Sequence, residues 1–169
     1  MNDQIAGLVI EARAGDRDAF GLLVEFHWEG LVRLARSVLG DSDAEDAAQD
    51  GLLIAWRKLP KLSEPGAFSA WISRIVYRRC LRRLRRRRGV VTLEKAPEPL
   101  YNTDPDNCHD VWKLLAILAP RQRAVLHLTT VEGLTDSEIG RSLGITAGSV
   151  RAHRRRAREK IQRFMKGET

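Results

Sequence analysis

Two sets of residues in this chain have the types and spacing to do chemistry. Asp43, Asp46 and Asp50 recur at helical spacing, and oxygen donors of this kind are what a hard divalent cation takes. Residues 78–88 carry eight arginines and no acid, a density suited to phosphate oxygens, which a planar guanidinium grips as a fork. The first set points to a metal-dependent nuclease, and it is the weaker of the two. One convex helix face offers carboxylates but no convergent pocket, no ordered base and no nucleophile. The cysteines, Cys80 and Cys108, are far apart and in no CxxC pattern, and the four histidines do not cluster with them. We therefore expect no catalytic site, no metal, no cofactor and no structural disulfide.

Charge favours the second set. The chain has 29 Lys and Arg against 22 Asp and Glu, a net charge of +7, and the surplus is concentrated in 78–88 and 151–166 rather than spread. Like charges four residues apart disfavour an isolated helix, so a polyanionic partner is the economical explanation, and nucleic acid is the first to consider. Trp71 and Tyr77 lie on the same helical stretch as the first of these arginine runs, and aromatic rings suit unpaired bases, which stack on them. A membrane surface is the rival partner. No apolar run approaches the roughly 20 residues of a membrane span, however, and the basic stretches have structured neighbours. The amino terminus, MNDQIAGLVIEARAGD, lacks the basic start of a secretory signal, so we expect a cytoplasmic protein with no membrane insertion.

The elements that must position these residues read as helices throughout. Ile5, Leu8, Val9 and Ala12 mark a first amphipathic helix ended by Gly15. A second runs from about Arg17 to Leu39, with His27 at the edge of its apolar face, and Gly40 is expected to close it in a left-handed cap. Ser42 and Glu45 have the spacing of a capping box opening the next, acidic helix. On that helix Ala44, Ala48, Gly51, Leu52, Ala55 and Leu59 share a face small and apolar enough to pack, while Asp46, Asp50, Leu53 and Arg57 share the other, flanked by Asp43 and Gln49. Spacing alone reads that second face as solvated with one exposed leucine. A short breaker, Ser63 to Ala67, leads into a helix whose ladder of Phe68, Ile72, Val76, Cys80 and Leu84 is a core stripe beside a ladder of Arg74, Arg78, Arg82 and Arg85. Trp71, at the edge of the stripe, fits a core position and a base-stacking position equally.

Residues 89–107, GVVTLEKAPEPLYNTDPDN, carry three prolines and the acids Glu94, Glu98, Asp104 and Asp106 with no helical period, the composition of a flexible linker. Its extended reach, roughly 3.3 Å per residue, would let two modules sit tens of ångströms apart. The expected fold class is thus all-α: two small helical domains, residues 1–88 and 108–169, joined by an acidic linker. In the second, Val111, Trp112, Leu115 and Leu118 give a helical face, Pro120 suits the first turn of a helix using Val125, Leu128 and Val131, and Thr135 with Glu138 caps a short helix bearing Ile139 and Leu143. Gly144 and Ile145 make a turn, and Thr146 caps a last helix with Val150, Ala157, Ile161 and Phe164 inward. Helix, glycine turn and basic helix make a helix-turn-helix, with Arg151 and Arg155 near the start of the last helix as base-reading candidates and Arg158 and Lys160 as phosphate contacts.

DAEDAAQDGLLIAWRKL followed by AFSAWISRIVYRRCLRRLRR resembles region 2 of the extracytoplasmic-function sigma factors of bacteria, and LAPRQRAVLHLTTVEGLTDSEIGRSLGITAGSVRAHRRRARE resembles their region 4. Region 4 alone is similar to many helix-turn-helix regulators, whereas both motifs in this order around an acidic linker are specific. The resemblance covers nearly the whole chain. It implies a dissociable subunit, with no enzymatic activity of its own, that directs core RNA polymerase to promoters and initiates transcription. Asp46, Gln49, Asp50 and Leu53 would then dock on the clamp helices of the beta-prime subunit, with the beta subunit as a further contact. Ser63, Glu64, Pro65, Gly66 and Ala67, with Phe68, Trp71, Arg74, Arg78 and Arg82 behind them, would capture an unstacked base of the minus-ten element. Ser149, Arg151, Ala152, His153, Arg155, Arg156 and Arg158 would meet the minus-thirty-five element. A cognate anti-sigma factor is the implied inhibitor.

The chain departs from that family pattern at three places. Arg78 and Arg82 stand where Asn and Asp are common, Arg154 stands where an aliphatic core residue is usual and is expected to snorkel past the core, and Ala152, His153 and Arg155 leave the upstream sequence open. The alternative is a polymerase-independent helix-turn-helix regulator. Such a protein needs neither an acidic docking face nor an aromatic loop before a basic helix.

Overall fold

A computed structural model describes residues 2–90 and 114–167, and the linker segment 91–107, together with Cys108, Val111 and Trp112, lies outside the described residues. The described residues form seven long helices and no strand: α1 Asn2–Arg13, α2 Arg17–Leu39, α3 Ala44–Lys58, α4 Phe68–Val90, α5 Pro120–Thr130, α6 Asp136–Leu143 and α7 Ala147–Met165. Two 3-10 turns, Leu59–Lys61 and Pro65–Ala67, bridge α3 and α4. The all-α expectation holds, and α4 runs two residues further than the sequence boundary at Arg88, taking Gly89 and Val90 into the helix.

The helices begin and end where local chemistry stops the backbone from wasting its unpaired groups. Asp16 caps α2 by accepting from the N–H groups of Asp18 and Ala19 at 2.9 and 3.1 Å. Thr135 and Glu138 form the expected reciprocal box at α6, with the Thr135 N–H donating to Glu138 Oε2 at 2.8 Å. Thr146 accepts from the Ser149 N–H at 3.1 Å and opens α7, and Gly144 closes α6 in the left-handed region. Two expectations are corrected. Gly40 has φ 85° and ψ −175°, an extended conformation reserved for glycine rather than a left-handed cap, because the chain has to run straight on into the Asp41 turn. At α3 the N-cap position falls on Asp43 rather than Ser42, with no side-chain cap bond, and Glu45 instead accepts from Arg36 Nη2 of α2 at 3.2 Å.

The first four helices pack around Leu23, Leu34, Val38, Leu59, Phe68, Ile72 and Val76, all buried. Every residue of the expected inner face of α3 is buried, as are Phe68, Ile72, Val76 and Cys80 of α4. Burial also pushes the Cys80 thiol up to about 12, so it is a packing residue and not a nucleophile. His27, at the core edge, bonds the Leu23 carbonyl and Ser69 Oγ, each at 2.8 Å, and burial lowers its pKa.

In the second module Ala124, Val125, Leu128, Ile139, Leu143, Val150 and Ala157 are buried. Val131 and Phe164, expected inward, are exposed. Helix α5 ends one residue before Val131, and Phe164 lies near the end of α7, beyond the helices that cover Val150 and Ala157.

The two modules touch. Arg33 Nε of α2 donates to Glu132 at 3.0 Å, Arg123 Nη2 of α5 to the Val38 carbonyl at 3.1 Å, and Arg74 Nε of α4 to the Arg141 carbonyl at the end of α6 at 2.9 Å. The linker's reach permits separation, and in this arrangement the modules instead share one continuous buried cluster.

The tightest approach is between α3 and α4. A Cβ placed on Gly51 would lie 2.5 Å from Val76 Cγ2 and 3.2 Å from Val76 Cα, closer than packed atoms come. Gly51→Ala should therefore lower the stability of the chain by about 1–3 kcal/mol, read as a lower urea midpoint at unchanged slope. Combined with Val76→Ala it should cost less than the sum of the two single changes, and strict additivity would place the effect elsewhere.

Candidate functional site

The two helices either side of the 59–67 connection, α3 and α4, carry most of the residues of interest, and their charged faces meet. Asp50 Oδ2 accepts from Arg79 Nε at 3.0 Å and Nη2 at 2.7 Å, and from Arg83 Nη2 at 2.5 Å. Hydrogen bonds from Arg83 and then Arg79 hold the Asp50 carboxyl below the usual carboxylate range. This alters one part of the reading made from spacing. Asp50 and Asp46 share a helical face, yet the Asp46 side chain is 70% exposed and the Asp50 side chain 30%. Asp46 reaches only Arg83 Nη1, at 3.8 Å, whereas Asp50 fastens α3 to α4. Gln49 and Arg57 are exposed, and Leu53 is 59% exposed. The free acidic-apolar stripe is therefore Asp46, Gln49, Leu53 and Arg57, with Asp50 as its anchor.

The same geometry bears on the nuclease alternative. Asp50 Oδ2 is taken by two guanidinium groups, whose positive charge disfavours a cation beside it. Among the described residues no group of three or more His, Cys, Asp and Glu side chains is arranged to hold a metal ion.

The 63–67 connection is a 3-10 turn entered through an extended Glu64. Ser63, Glu64 and Gly66 are exposed, and Pro65 and Ala67 are half-buried. Phe68, grouped with them in the sequence, is fully buried. Its ring meets His27 edge-on at a centroid distance of 5.2 Å and Trp71 at 5.9 Å, so it supports the turn from beneath. Trp71 is half-buried against the core with part of its ring outward. Tyr77 is 1% exposed, which removes it from the aromatic surface that its place among the arginines suggested.

The arginines of α4 divide into two rows. Arg78, Arg82 and Arg85 are exposed and Arg74 is half-buried, as the ladder required. Arg79 and Arg83 turn to Asp50, a pairing the sequence signalled only weakly, through two arginines four apart on one helix and a carboxylate on the inward edge of another. Arg74 and Arg78 line a cleft of about 520 Å³ completed by Ser137, Gly140, Arg141 and the Gly144–Ala147 turn, so this end of the ladder faces the second module.

On α7, Arg151, Arg155, Arg156 and Arg158 are exposed, while Ser149, Ala152 and His153 are half-buried. His153 lies where Arg121 and Arg156 also bear on it, and burial lowers its pKa. The expectation that Arg154 snorkels is corrected: its Nη1 and Nη2 donate to Oδ1 and Oδ2 of Asp136 at 2.6 and 3.3 Å. An ion pair takes the place of an aliphatic contact between α6 and α7.

Residues 23–90 match the family model for Sigma-70 region 2 and residues 108–161 the model for Sigma-70 region 4. The chain is 35% identical over 159 residues to the ECF RNA polymerase sigma factor SigM of Mycobacterium tuberculosis, covering 90% of this chain and 80% of that protein. The chain belongs to the ECF RNA polymerase sigma factors. The sigma factor CnrH of Cupriavidus metallidurans is 29% identical over 190 residues, spanning 100% of this chain and 99% of that one. The structure of CnrH in complex with the cytosolic domain of CnrY matches with a TM-score of 0.71 at 26% identity, over 98% of this sigma factor and 99% of that chain. The fold is shared as well with RpoE of Bartonella quintana, solved in complex with the anti-sigma factor NepR, with a TM-score of 0.68 at 24% identity over 89% and 98% of the two chains.

Asp50 gives this sigma factor a pH dependence. A carboxyl whose folded pKa is depressed contributes stability above its unfolded pKa, about 3.9, and loses it as pH falls through the folded value. Asp50→Asn should cost about 1–3 kcal/mol near neutrality and shrink the difference between variant and parent in urea melts below about pH 4. Asp46→Asn should change stability little, as the loss of an exposed pair does, and an equal loss from both variants would contradict the anchor role.

Proposed function

We propose that this sigma factor brings core RNA polymerase to promoters by docking through Asp46, Gln49 and Leu53, capturing a minus-ten base with the Ser63–Ala67 turn, and reading the minus-thirty-five element with α7. One observation carries the docking part: Leu53 stands exposed beside Gln49 and Arg57 on a helix whose opposite face is packed alanine, glycine and leucine. A regulator acting on DNA alone has no use for that stripe, whereas a polymerase surface with basic and apolar side chains would match it. The partners that follow are the beta-prime clamp helices, the beta subunit and promoter DNA. A cognate anti-sigma factor is included because the resemblance to the family implies one. A sigma subunit binds and opens DNA without a catalytic group of its own, and it works where the polymerase is, in the cytoplasm.

For the minus-ten element the support is geometric. The exposed Ser63, Glu64 and Gly66 edge of the turn is stiffened by Pro65 and underlaid by Phe68, so a flipped base would meet a surface already ordered, at low entropic cost. Trp71 offers a partly exposed ring next to it, and base stacking on an aromatic is worth about 1–3 kcal/mol. Arg78 and Arg82 lie further along the same helix, where the phosphates of the adjacent strand would run. On α7 (Ala147–Met165), Arg151 projects from the second turn and Arg155 from the third, in the N-terminal half that meets base edges in a recognition helix, and Arg158 follows as a phosphate contact.

Run-off transcription with bacterial core polymerase on a promoter library, with and without the chain, tests the whole reading. Chain-dependent transcripts sharing two spaced motifs are expected. Sequence-specific binding by the chain alone, with no gain in transcription, would establish the regulator instead. Asp46→Arg with Leu53→Ser should leave the far-ultraviolet spectrum and melting temperature close to the parent and abolish capture of core polymerase, because neither side chain is needed for packing. Retained capture would overturn the docking stripe.

A second library, randomised at minus ten, addresses the turn. Replacing residues 63–67 by the corresponding turn of a related sigma factor should change the preferred base and leave core capture and the minus-thirty-five motif as they were. Normal melting with an unchanged preference, read by permanganate reactivity of unpaired thymines, would remove the turn from recognition.

A further inference from the structure

Asp136, the first residue of α6, is joined to two arginines of the helix behind it. Its carboxylate takes Arg154 in a two-point grip at 2.6 and 3.3 Å, and Arg151 Nη1 stands 3.7 Å from the Oδ2 that the longer of those bonds uses. The arginines are three residues apart on one face of α7 and differ in environment: Arg154 is 24% exposed and Arg151 64%. One arginine is thus tied down, while the other is tethered by one nitrogen with most of its surface in solvent.

The tether has a chemical consequence. A long exposed arginine samples many rotamers, and ordering it on DNA costs entropy. A carboxylate fixed at a helix terminus and held in turn by Arg154 restricts that sampling before DNA arrives. The nitrogen turned to Asp136 is Nη1, which leaves the Nε and Nη2 edge free, and a planar edge of two parallel N–H groups is what binds O6 and N7 of a guanine. Arg155 has no such support. Its nearest carboxylate is Glu159 of its own helix, at 3.6 Å, and both side chains are largely exposed.

We infer that Asp136 is a positioning residue for minus-thirty-five specificity, holding α7 through Arg154 and presenting the outer edge of Arg151 to one base pair. The inference rests on the proposed reading that α7 contacts the minus-thirty-five element. It also gives a use to Arg154, which an aliphatic residue could not supply.

The test uses the full chain with core polymerase and a promoter library randomised at minus thirty-five. Asp136→Asn keeps the size of the side chain and removes its charge. It should cut the base preference at a single position by roughly five- to tenfold, part of the discrimination one bidentate arginine provides, while other positions, core capture and the minus-ten motif stay as in the parent. Added to Arg151→Ala, it should have no further effect on that position. An even loss across all sequences would mean that Asp136 only stabilises the domain, and no change would mean that it does not act on recognition at all. Either result overturns the inference. If Asp136→Asn lowers the melting temperature enough to confuse the reading, the library is read well below the melting temperature of the variant, where the loss confined to the single position should persist. The two levels of the argument separate cleanly. A motif unchanged by Arg151→Ala would sink the base-reading assignment itself, whereas relaxation by Arg151→Ala but not by Asp136→Asn would sink the positioning role alone.

Discussion

The close crossing of α3 and α4 is the constraint on which the rest of this sigma factor depends. Gly51 lets Val76 approach as it does, and Asp50 at the side of that contact draws Arg79 and Arg83 off the surface. Eight arginines in eleven residues would otherwise repel one another along a single helix. Two of them are neutralised internally, and the row of Arg78, Arg82 and Arg85 is left exposed. With the crossing fixed, the Leu59–Ala67 connection has to turn sharply, and Pro60 and Pro65 set the two 3-10 turns that do so. The exposed turn and the exposed acidic stripe are thereby carried by one packed helix pair.

Periodicity made the packing legible because it depends on side-chain size and hydrophobicity at fixed spacing. The inner face of α3, the Phe68 to Cys80 ladder and the Thr135 and Thr146 caps were all readable in that way. What spacing does not carry is the partner of a polar group. Asp46 and Asp50 are equivalent on a helical wheel, and only the position of α4 makes one free and the other bound. Arg154 reads as a misfit in a core stripe until Asp136, from another helix, is seen opposite it. The Ser42 and Glu45 box failed for a related reason: Arg36 of the preceding helix competes for Glu45 and offers a charge-assisted bond, which is stronger than the bond to a backbone N–H. Tyr77 was set beside a nucleic-acid surface by sharing a helix with the arginines, and Phe68, a core residue by periodicity, by the family resemblance, yet on a helix with two covered sides an aromatic residue fills space before it meets a ligand.

The contact between modules bears on how the proposed function would be carried out. Arg74 belongs to the ladder along which a melted strand would run, and here it donates to the last turn of α6 and lies against Gly144. Arg123 and Arg33 add polar ties from the other side. A strand following α4 past Arg78 toward the 63–67 turn would collide with the helix-turn-helix at this point. A duplex approaching the start of α7 would meet the arginines of α4 in the same cleft, beside Ser137 and Thr146. The two proposed DNA surfaces are thus mutually exclusive in the docked arrangement, and using both requires the modules to part.

The bonds that would break are few, partly exposed and each replaceable by water or phosphate, so their net cost is small, about 1 kcal/mol apiece. The apolar seam between α2, α4, α5 and α6 opposes parting more strongly, since every buried side chain returned to water costs about 1.5–3 kcal/mol. DNA, which supplies chiefly charge, is poorly matched to that seam, whereas a protein surface reaching both modules would replace apolar contact with apolar contact. On this reasoning a protein surface would part the modules more readily than DNA, and Arg74, which ties α4 to α6, would be released to phosphate once they had been drawn apart.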